Sequence, residues 1–335
     1  MYVLLVNWNG WAHTIECLES LFRQDYHPFV AVVCDNGSQD GSWEKMLAWA
    51  RGELPFPGPQ NPALAHLFRR PLAKPIPFVC YDRPTAEAGG VDPDPAVPLV
   101  FIQTGANLGF GGGNNVGLRY ALARGDAGHV WLLNNDTVVA PDALRSLWAK
   151  AASTSRVGAV GSKILDYFYP EKILSWGGKR IRWALGGVSP LVRNAPGAPL
   201  PPESNKLDYI EGCSCLIPLE TLRDVGLFDP AFFHFWEDVD LGYRITLAGY
   251  RLLYAEESKV YHKEGASTQG PSLQADCYEI SSCVIFFRKY SKLFPLILSI
   301  KLLGKLFNRI YRKQFDRVYW IFRSFLISFF IPIRK

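Results

Sequence analysis

A chain of 335 residues, 48% hydrophobic and 20% charged, has the length and composition of a globular protein with one large domain or two small ones. Seven cysteines, an odd number without a CxxC pair, argue against a disulfide framework or a zinc site and for reduced thiols in a cytosolic protein. The net charge of +5 is uneven: from Arg288 to Lys335 twelve lysines and arginines face one acid, Asp316, which leaves the body at −6 and excludes it as a basic, nucleic-acid-binding surface.

In chain order, YVLLVN reads as a buried strand, and with no basic stretch or cleavage signal ahead of it the start points away from export. HTIECLESLF has helical spacing, FVAVVCDNGS is a strand ending in turn residues, and SWEKMLAWA returns to helix. PLVFIQ, NNVGLRYALA, HVWLLNND and PDALRSLWAKA continue the alternation, with Pro141 placed as a first helical residue. Alternation of this kind predicts an α/β fold, a mostly parallel sheet covered by helices, with ligands outside the carboxyl ends of its strands. Residues 51–98 break the pattern with LPFPGPQNP, KPIP and DPDPAVP and read as a surface insertion, ordered in part at most. SPLVRNAPGAPLPPESN reads as a mobile loop.

Four polar clusters fall at predicted strand ends: Asn7 to Asn9, Asp35 with Asn36 and Ser38, Asn107 with the glycines after it, and Asn134 to Asp136. One such cluster is a turn, but four on one sheet edge make a site. NLGFGGGNN is not a dinucleotide fingerprint, because Asn114 stands where the third glycine belongs and the first strand leads into NWNG. The glycines suit either a helix-start turn or a close approach of backbone to ligand. Asp136, just past a buried strand, suits a divalent ion bridging to a diphosphate, or an Asx turn. His262 in SKVYHKEG, after another short strand, is either structural or a ligand, and imidazole beside carboxylate oxygens favours manganese. The adjacent acids Glu237 and Asp238 in FHFWEDVDLGYR open a helix, where the dipole alone favours negative charge.

Taken in order, VLLVNWNG, VVCDNGSQDGS, NLGFGGGNNVGL, WLLNNDTVV, EGCSCLIP, GLFDPAFFHFWEDVDLGYR and VYHKEGAS resemble the family 2 inverting glycosyltransferases of the GT-A fold, in their rhamnosyltransferase-like branch. The resemblance covers most of Val3 to Ser267. It implies a GT-A domain over 1–275 followed by a basic, aromatic helical region over 276–335. It places a nucleotide against Asn7, Asn9, Asp35, Asn36, Ser38, Asn107, Gly109, Gly113, Asn114 and Asn135, with Asp35 on the base. It makes Asp136 and His262 contacts of a divalent cation, Mn2+ or Mg2+, and Asp238, beside Glu237, the catalytic base. Asn134 stands where many members have an acid.

Inverting transfer needs a carboxylate to take the acceptor hydroxyl's proton as the anomeric carbon is attacked, and positive charge to hold the departing nucleoside diphosphate. The implied donor is a dTDP- or UDP-linked sugar, a deoxyhexose such as rhamnose first, and the acceptor a saccharide, lipid-linked where the enzyme works at a membrane. Phe232, Phe233, Phe235 and Trp236 are either core or an apolar wall against the sugar. Two rivals stand: a sugar nucleotidyltransferase, which should carry a glycine-rich basic loop after the first strand, and a noncatalytic, membrane-associated binder of nucleotide sugars. The tail's longest uncharged run, Ser324 to Ile333, falls short of the roughly 20 residues that span a bilayer. Its basics interleaved with aromatics suit amphipathic helices on an anionic membrane, peripheral to the inner face of the cell membrane, or a helical pair packed on the body or in a homodimer.

Overall fold

Along YVLLVN the side chains alternate between two cores: Val3 and Leu5 pack into one, Tyr2 and Leu4 into the other. A strand buried on both faces must have helices on both, and the rest of the chain supplies them. The computed structural model describes residues 1–91, 97–190, 207–264 and 272–333. The elements run β1 (Tyr2–Asn7), α1 (Trp11–Leu21), β2 (Val30–Asp35), α2 (Ser42–Arg51), β3 (Phe78–Asp82), α3 (Arg83–Glu87), β4 (Leu99–Gln103), α4 (Gly109–Arg124), β5 (His129–Leu133), β6 (Thr137–Val139) and α5 (Ala143–Ala152). They continue with β7 (Val157–Asp166), β8 (Ile173–Ser175), β9 (Gly178–Arg182), β10 (Gly187–Pro190), β11 (Tyr209–Ile210), β12 (Ser214–Pro218), α6 (Leu219–Val225), α7 (Glu237–Leu247), β13 (Arg251–His262), α8 (Leu273–Tyr290), α9 (Phe294–Tyr311) and α10 (Phe315–Ser328).

The main sheet has the order β3-β4-β2-β1-β5-β12-β7-β13-β6, with β8 paired to β7. Strands β1 to β5 pair in parallel, so their carboxyl ends, and the polar clusters that follow them, lie on one edge. Strand β12 inserts antiparallel between β5 and β7, and β10, β9 and β11 form a separate three-stranded sheet. The expected mixed α/β architecture with C-terminal helices is what the structure has.

Three sequence expectations change. The insertion over 51–98 is more ordered than its prolines predict: it holds a 3-10 turn over Pro62–Phe68, helix α3, and β3 as the edge strand on β4. Five residues bounded by Pro77 and Pro84 are too few to show alternation, and an edge is where proline-flanked strands are tolerated. Pro141 is not the first residue of α5, which starts at Ala143; the carbonyl of Pro141 accepts from Asp25, and the Gln24 side chain accepts the Leu144 N–H at 2.9 Å. His262 ends a 12-residue strand rather than a short one. The proline-rich stretch after Pro190, to residue 206, and Gly265 to Ser267 of the last motif lie outside the described residues.

The C-terminal helices are joined to the body through α8. Val284, Phe286 and Phe287 share a core with Tyr209, Phe232, Trp236 and Val239. Asp240 on α7 is fully buried and accepts from Lys289, Tyr290 and Arg244, each at 2.8 Å. The division expected at 275/276 falls in the first turn of α8.

Candidate functional site

Hydrogen bonds tie the four strand-end clusters into one network. Asn7 donates to the Asp35 carboxylate at 2.8 Å and to the Ser38 hydroxyl at 3.0 Å, and its own Oδ1 accepts from Thr14 at 2.8 Å. Asn135 donates to Thr14 at 2.9 Å. Asn9, with φ of 50°, caps the next loop by accepting the Gln39 N–H at 2.8 Å. Asn36 donates to Asn107 Oδ1 and to the Gly109 carbonyl, both at 3.1 Å, so the second and third clusters fix each other.

These bonds shape a cavity of about 360 Å³ on the sheet edge, lined by Asn36, Asn107, Gly109, Asn135 and Asp136 of the expected residues. Asn7, Asn9, Asp35, Ser38, Gly113, Asn114 and His262 stand outside its lining. Asp35 is buried and spends both oxygens on Asn7 and the Ser38 N–H, and Asn114 donates to the Phe110 carbonyl at 3.0 Å. Trp8, Phe233, His234, Ser272 and Tyr278 complete the wall. Of these the residue signals singled out only Phe233.

The glycine run serves a helix-to-loop contact. A Cβ on Gly109 would sit 2.0 Å from the Phe233 carbonyl oxygen, and the Phe110 N–H donates to that same oxygen at 3.1 Å. Gly113 backs onto Val6 and Asn36. The start of α4 is thereby pressed against the turn that carries Glu237 and Asp238. In that turn Phe235 and Trp236 have φ of 66° and 68°, two consecutive left-handed residues that cost on the order of 1–3 kcal/mol each. The Trp236 ring holds them, packed on Phe286 at 5.1 Å and Phe287 at 5.5 Å.

Glu237 and Asp238 line a second cavity, of about 470 Å³, that shares Phe110, Asn134 and His234 with the first. Asp238 accepts the Gly212 N–H at 3.2 Å and the Val239 N–H at 2.8 Å. Burial outweighs those bonds and pushes its carboxyl up to about 6, with the charge of Glu211 adding to the shift. Burial, then the charge on Asp238, raises Glu237 well above the usual carboxylate range. The His234 imidazole is pushed down by burial. Gly212 belongs to the EGCSC stretch between β11 and β12, where no side-chain signal marks a backbone donor to the acid.

At the first cavity, His262 Nε2 lies 3.2 Å from Asp136 Oδ1. Burial would raise Asp136 and lower His262, but each is outweighed by the other's charge, so the acid is held low and the imidazole high. Asp136 Oδ1 is buried and has no hydrogen-bond partner of proper geometry. A carboxylate oxygen free to bind and an imidazole nitrogen facing it fit a divalent cation. Among the described residues no three His, Cys, Asp or Glu side chains converge, so this acid and imidazole stand as a pair rather than as part of a cage. Behind them Lys263, buried, donates to Glu16 and His13, a support that the sequence did not mark.

Comparison with known proteins agrees with this geometry. The family model described as "Glycosyltransferase like family 2" matches residues 91–275. An N-acetylglucosaminyl-diphospho-decaprenol L-rhamnosyltransferase of Mycobacterium tuberculosis is 28% identical over 183 residues, 50% of this chain and 60% of that protein, so the match leaves two fifths of the relative uncovered. A low-salt glycan biosynthesis hexosyltransferase of Haloferax volcanii is 21% identical over 238 residues, 70% of this chain and 68% of that one. The fold matches GalNAc-T7 solved with UDP, GalNAc and Mn2+, at a TM-score of 0.58 and 16% identity over 88% of this chain and 48% of that chain. It also matches a mannosyltransferase of Pyrobaculum calidifontis solved with GDP-Man and Mn2+, at 0.54 and 14% identity over 99% and 76%. With a matching family model over more than half its length, this fold and this edge of strand-end polar residues, the chain belongs to the family 2 glycosyltransferases.

Proposed function

We propose that the protein transfers a sugar from a nucleoside-diphosphate sugar, with inversion, to a saccharide acceptor carried on a lipid. The observation that carries this reading is the meeting of two cavities at Phe110, Asn134 and His234, with Asp136 on one wall and Asp238 on the other. The cavity beside Asp136 takes the donor. Asn36, Asn107 and Gly109 line the nucleotide's place, Trp8 offers a ring face, and Asn7, Asn9, Asp35, Ser38, Gly113 and Asn114 hold those residues in position. Asp136 and His262 would hold a divalent cation, Mn2+ or Mg2+, completed by diphosphate oxygens, and when bound it supplies charge stabilisation for the departing nucleoside diphosphate.

The cavity beside Asp238 takes the acceptor. Asp238, ionised above about pH 6, accepts the proton of the attacking hydroxyl, while the Gly212 and Val239 N–H groups fix its orientation. Burial, then the charge on Asp238, raises the Glu237 carboxyl well above the usual carboxylate range and disfavours its charge, which gives the part of base to Asp238. Phe110, Phe233 and His234 keep water from the junction where the sugar changes hands.

The mycobacterial relative's name supports a deoxyhexose donor such as dTDP- or UDP-linked rhamnose and a lipid-linked acceptor. Residues 1–275 would then be the transferase body and 276–335 its membrane-facing region, on the inner face of the cell membrane. Among the described residues, fourteen of the 22 exposed large hydrophobics fall between Leu293 and Phe330, and no described helix is long and apolar enough to cross a bilayer. Incubation of the purified protein with a panel of nucleotide sugars, manganese and lipid-linked saccharides tests the reading. Glycoside of inverted anomeric configuration is the expected product. Pyrophosphorolysis of the donor in place of transfer, or no turnover of any donor, would overturn it.

A further inference from the structure

The cavity beside Asp238 is unusual in its charge. Four carboxyl and two amino side chains line it from five segments: Lys179 of β9, Glu211 of the turn after β11, Glu237 and Asp238 of α7, Glu279 of α8 and Lys301 of α9. Both ammonium groups are already committed. Lys179 is paired with Glu211 Oε1, and Lys301 lies 2.7 Å from Glu279 Oε1. In each lysine burial favours the neutral form, and the paired glutamate outweighs it and keeps the ammonium charged.

What the lysines leave over is acceptor capacity. Glu211 Oε2 and Asn134 Oδ1 are buried and have no hydrogen-bond partner, and Asp238 must accept a proton. Burying an acceptor without a donor costs roughly 1–3 kcal/mol, which a ligand rich in hydroxyl groups recovers. Among the described residues, Glu211, Asp238 and Glu279 face the two lining ammonium groups, with Lys305 paired to Glu279 Oε2 from behind the wall, and an additional anion would find no ammonium group in that lining free of a partner.

We propose that this cavity selects an uncharged, hydroxyl-rich sugar ring and rejects the corresponding uronic acid, with Glu211 and Glu279 as the residues that set the preference. The inference rests on the reading of this cavity as the acceptor site and adds to it a substrate class. Glu211 Oε2 and Asn134 Oδ1 accept from ring hydroxyls, and Phe110, Val188 and Phe235 supply apolar surface for the ring. Lys179 and Lys301 are specificity elements only through their glutamates. They neutralise Glu211 Oε1 and Glu279 Oε1 while holding those side chains at the wall. A phosphate that links the acceptor to lipid has its counter-charge outside this cavity, among Lys292, Arg312, Lys313 and Arg323, which are exposed. Because Glu279 and Lys301 come from α8 and α9, the C-terminal helices form part of the wall that reads the sugar.

The test is a titration of the full-length protein, at pH 7.5 with nucleoside diphosphate and manganese present, by ligand-observed NMR. The probes are the methyl glycosides of glucose, galactose and mannose, each beside its uronic acid. At least one neutral glycoside should bind, and its uronate should bind about fivefold more weakly or worse, the size of one like-charge contact at about 4 Å screened as in bulk water. Glu211→Gln and Glu279→Gln should each narrow that gap by about threefold or more. Two separate variants keep the test decisive should one fail to fold by circular dichroism. A uronate that binds as tightly as its neutral partner, a gap unchanged in every folded variant, or no binding by any of the glycosides would overturn the inference. Binding needs no donor turnover, so a protein that selects neutral rings but transfers no sugar would refute the proposed reaction and leave the selectivity standing.

Discussion

The two cavities are made in opposite ways. The one beside Asp136 takes its Asn and Asp residues from the segments that follow parallel strands: β1, β2, β4 and β5 each deliver a short cluster to the same edge, and His234, Ser272, Gln274 and Tyr278 close the wall from outside the sheet. The one beside Asp238 is assembled from β9, the β11–β12 turn, α7, α8 and α9, and no two of its ion-paired residues share an element. The first follows from the fold's topology, the second from how particular segments pack.

The strongest way to break the comparison is Asp238→Asn. The amide keeps the shape, and its one oxygen still accepts from Gly212 or from Val239, but it takes no proton from a hydroxyl. Transfer should fall by about 10² to 10⁴, with affinity for nucleoside diphosphate kept. Single-turnover kinetics beside a calorimetric nucleotide titration checks both. Transfer within threefold of the parent, or lost nucleotide binding, would move Asp238 out of the acceptor cavity's chemistry.

Asp136→Ala probes the other cavity. It removes the carboxylate that faces His262, and metal-dependent affinity for nucleoside diphosphate should drop about ten- to a hundredfold, the usual worth of one charged contact. Calorimetry with and without manganese measures it. An unchanged, metal-dependent affinity would mean that the cation, if bound, sits elsewhere.

How much of this the sequence carries follows from the same contrast. Asn36, Asn107, Gly109, Asn135 and Asp136 are legible because a strand followed by turn residues has one place to go in a parallel sheet. The EDVD stretch announces its acids but not their division of labour. Asp238 faces the cavity, while Asp240, two residues on, is a structural acid clamped by Lys289, Tyr290 and Arg244. Lys179, Glu211, Glu279 and Lys301 are illegible, since each sits in an ordinary charged context and acquires a role only through a distant partner. Strand β3 was hidden by prolines at both its ends, because a five-residue edge strand needs its neighbour β4 to define it. The left-handed pair Phe235 and Trp236 could not be read either: nothing in FHFWED signals positive φ, which packing on α8 imposes.

The pH profile sharpens the assignment of Asp238 with a smaller effect. Transfer should climb about tenfold per unit as pH rises toward 6 and level off above, because the base works only when ionised. Stability moves the opposite way. The folded carboxyl titrates above its unfolded value, so the folded state holds a proton that the unfolded state has lost, and stability falls as pH rises from about 4 through 6. Asp238→Asn should therefore gain stability relative to the parent across that window and hold the gain at neutral pH, as chemical denaturation at several pH values would record. A parent and variant that differ equally at pH 4 and pH 7 would contradict the raised carboxyl.

The smallest effect concerns the outer face of the C-terminal helices, which contrasts with their inner face. On α9 and its entry the exposed residues Leu293, Leu296, Ile300, Leu303, Phe307 and Ile310 recur at spacings of three and four, one stripe along the helix, while Ile297, Leu298 and Leu302 on the other side are buried. On α10 the exposed series is Phe315, Tyr319, Phe322, Leu326 and Phe330, opposite buried Ile321. Lys301, Lys305 and Arg309 turn toward Asp276 and Glu279, whereas Lys292, Arg312, Lys313 and Arg323 stay exposed beside the stripes. Apolar stripes flanked by exposed cations suit the interface of an anionic membrane, at about 1 kcal/mol for each basic residue near it. Leu303→Ser with Phe307→Ser should lower co-sedimentation with anionic vesicles about tenfold and leave folding stability within about 0.5 kcal/mol, as for exposed positions generally. Leu298→Ala, on the buried face, should instead cost about 2–5 kcal/mol of stability. If the double serine variant unfolds as readily as Leu298→Ala, or if it changes the protein's sedimentation coefficient rather than its vesicle binding, the stripes are covered by protein in solution and the proposed membrane role is wrong.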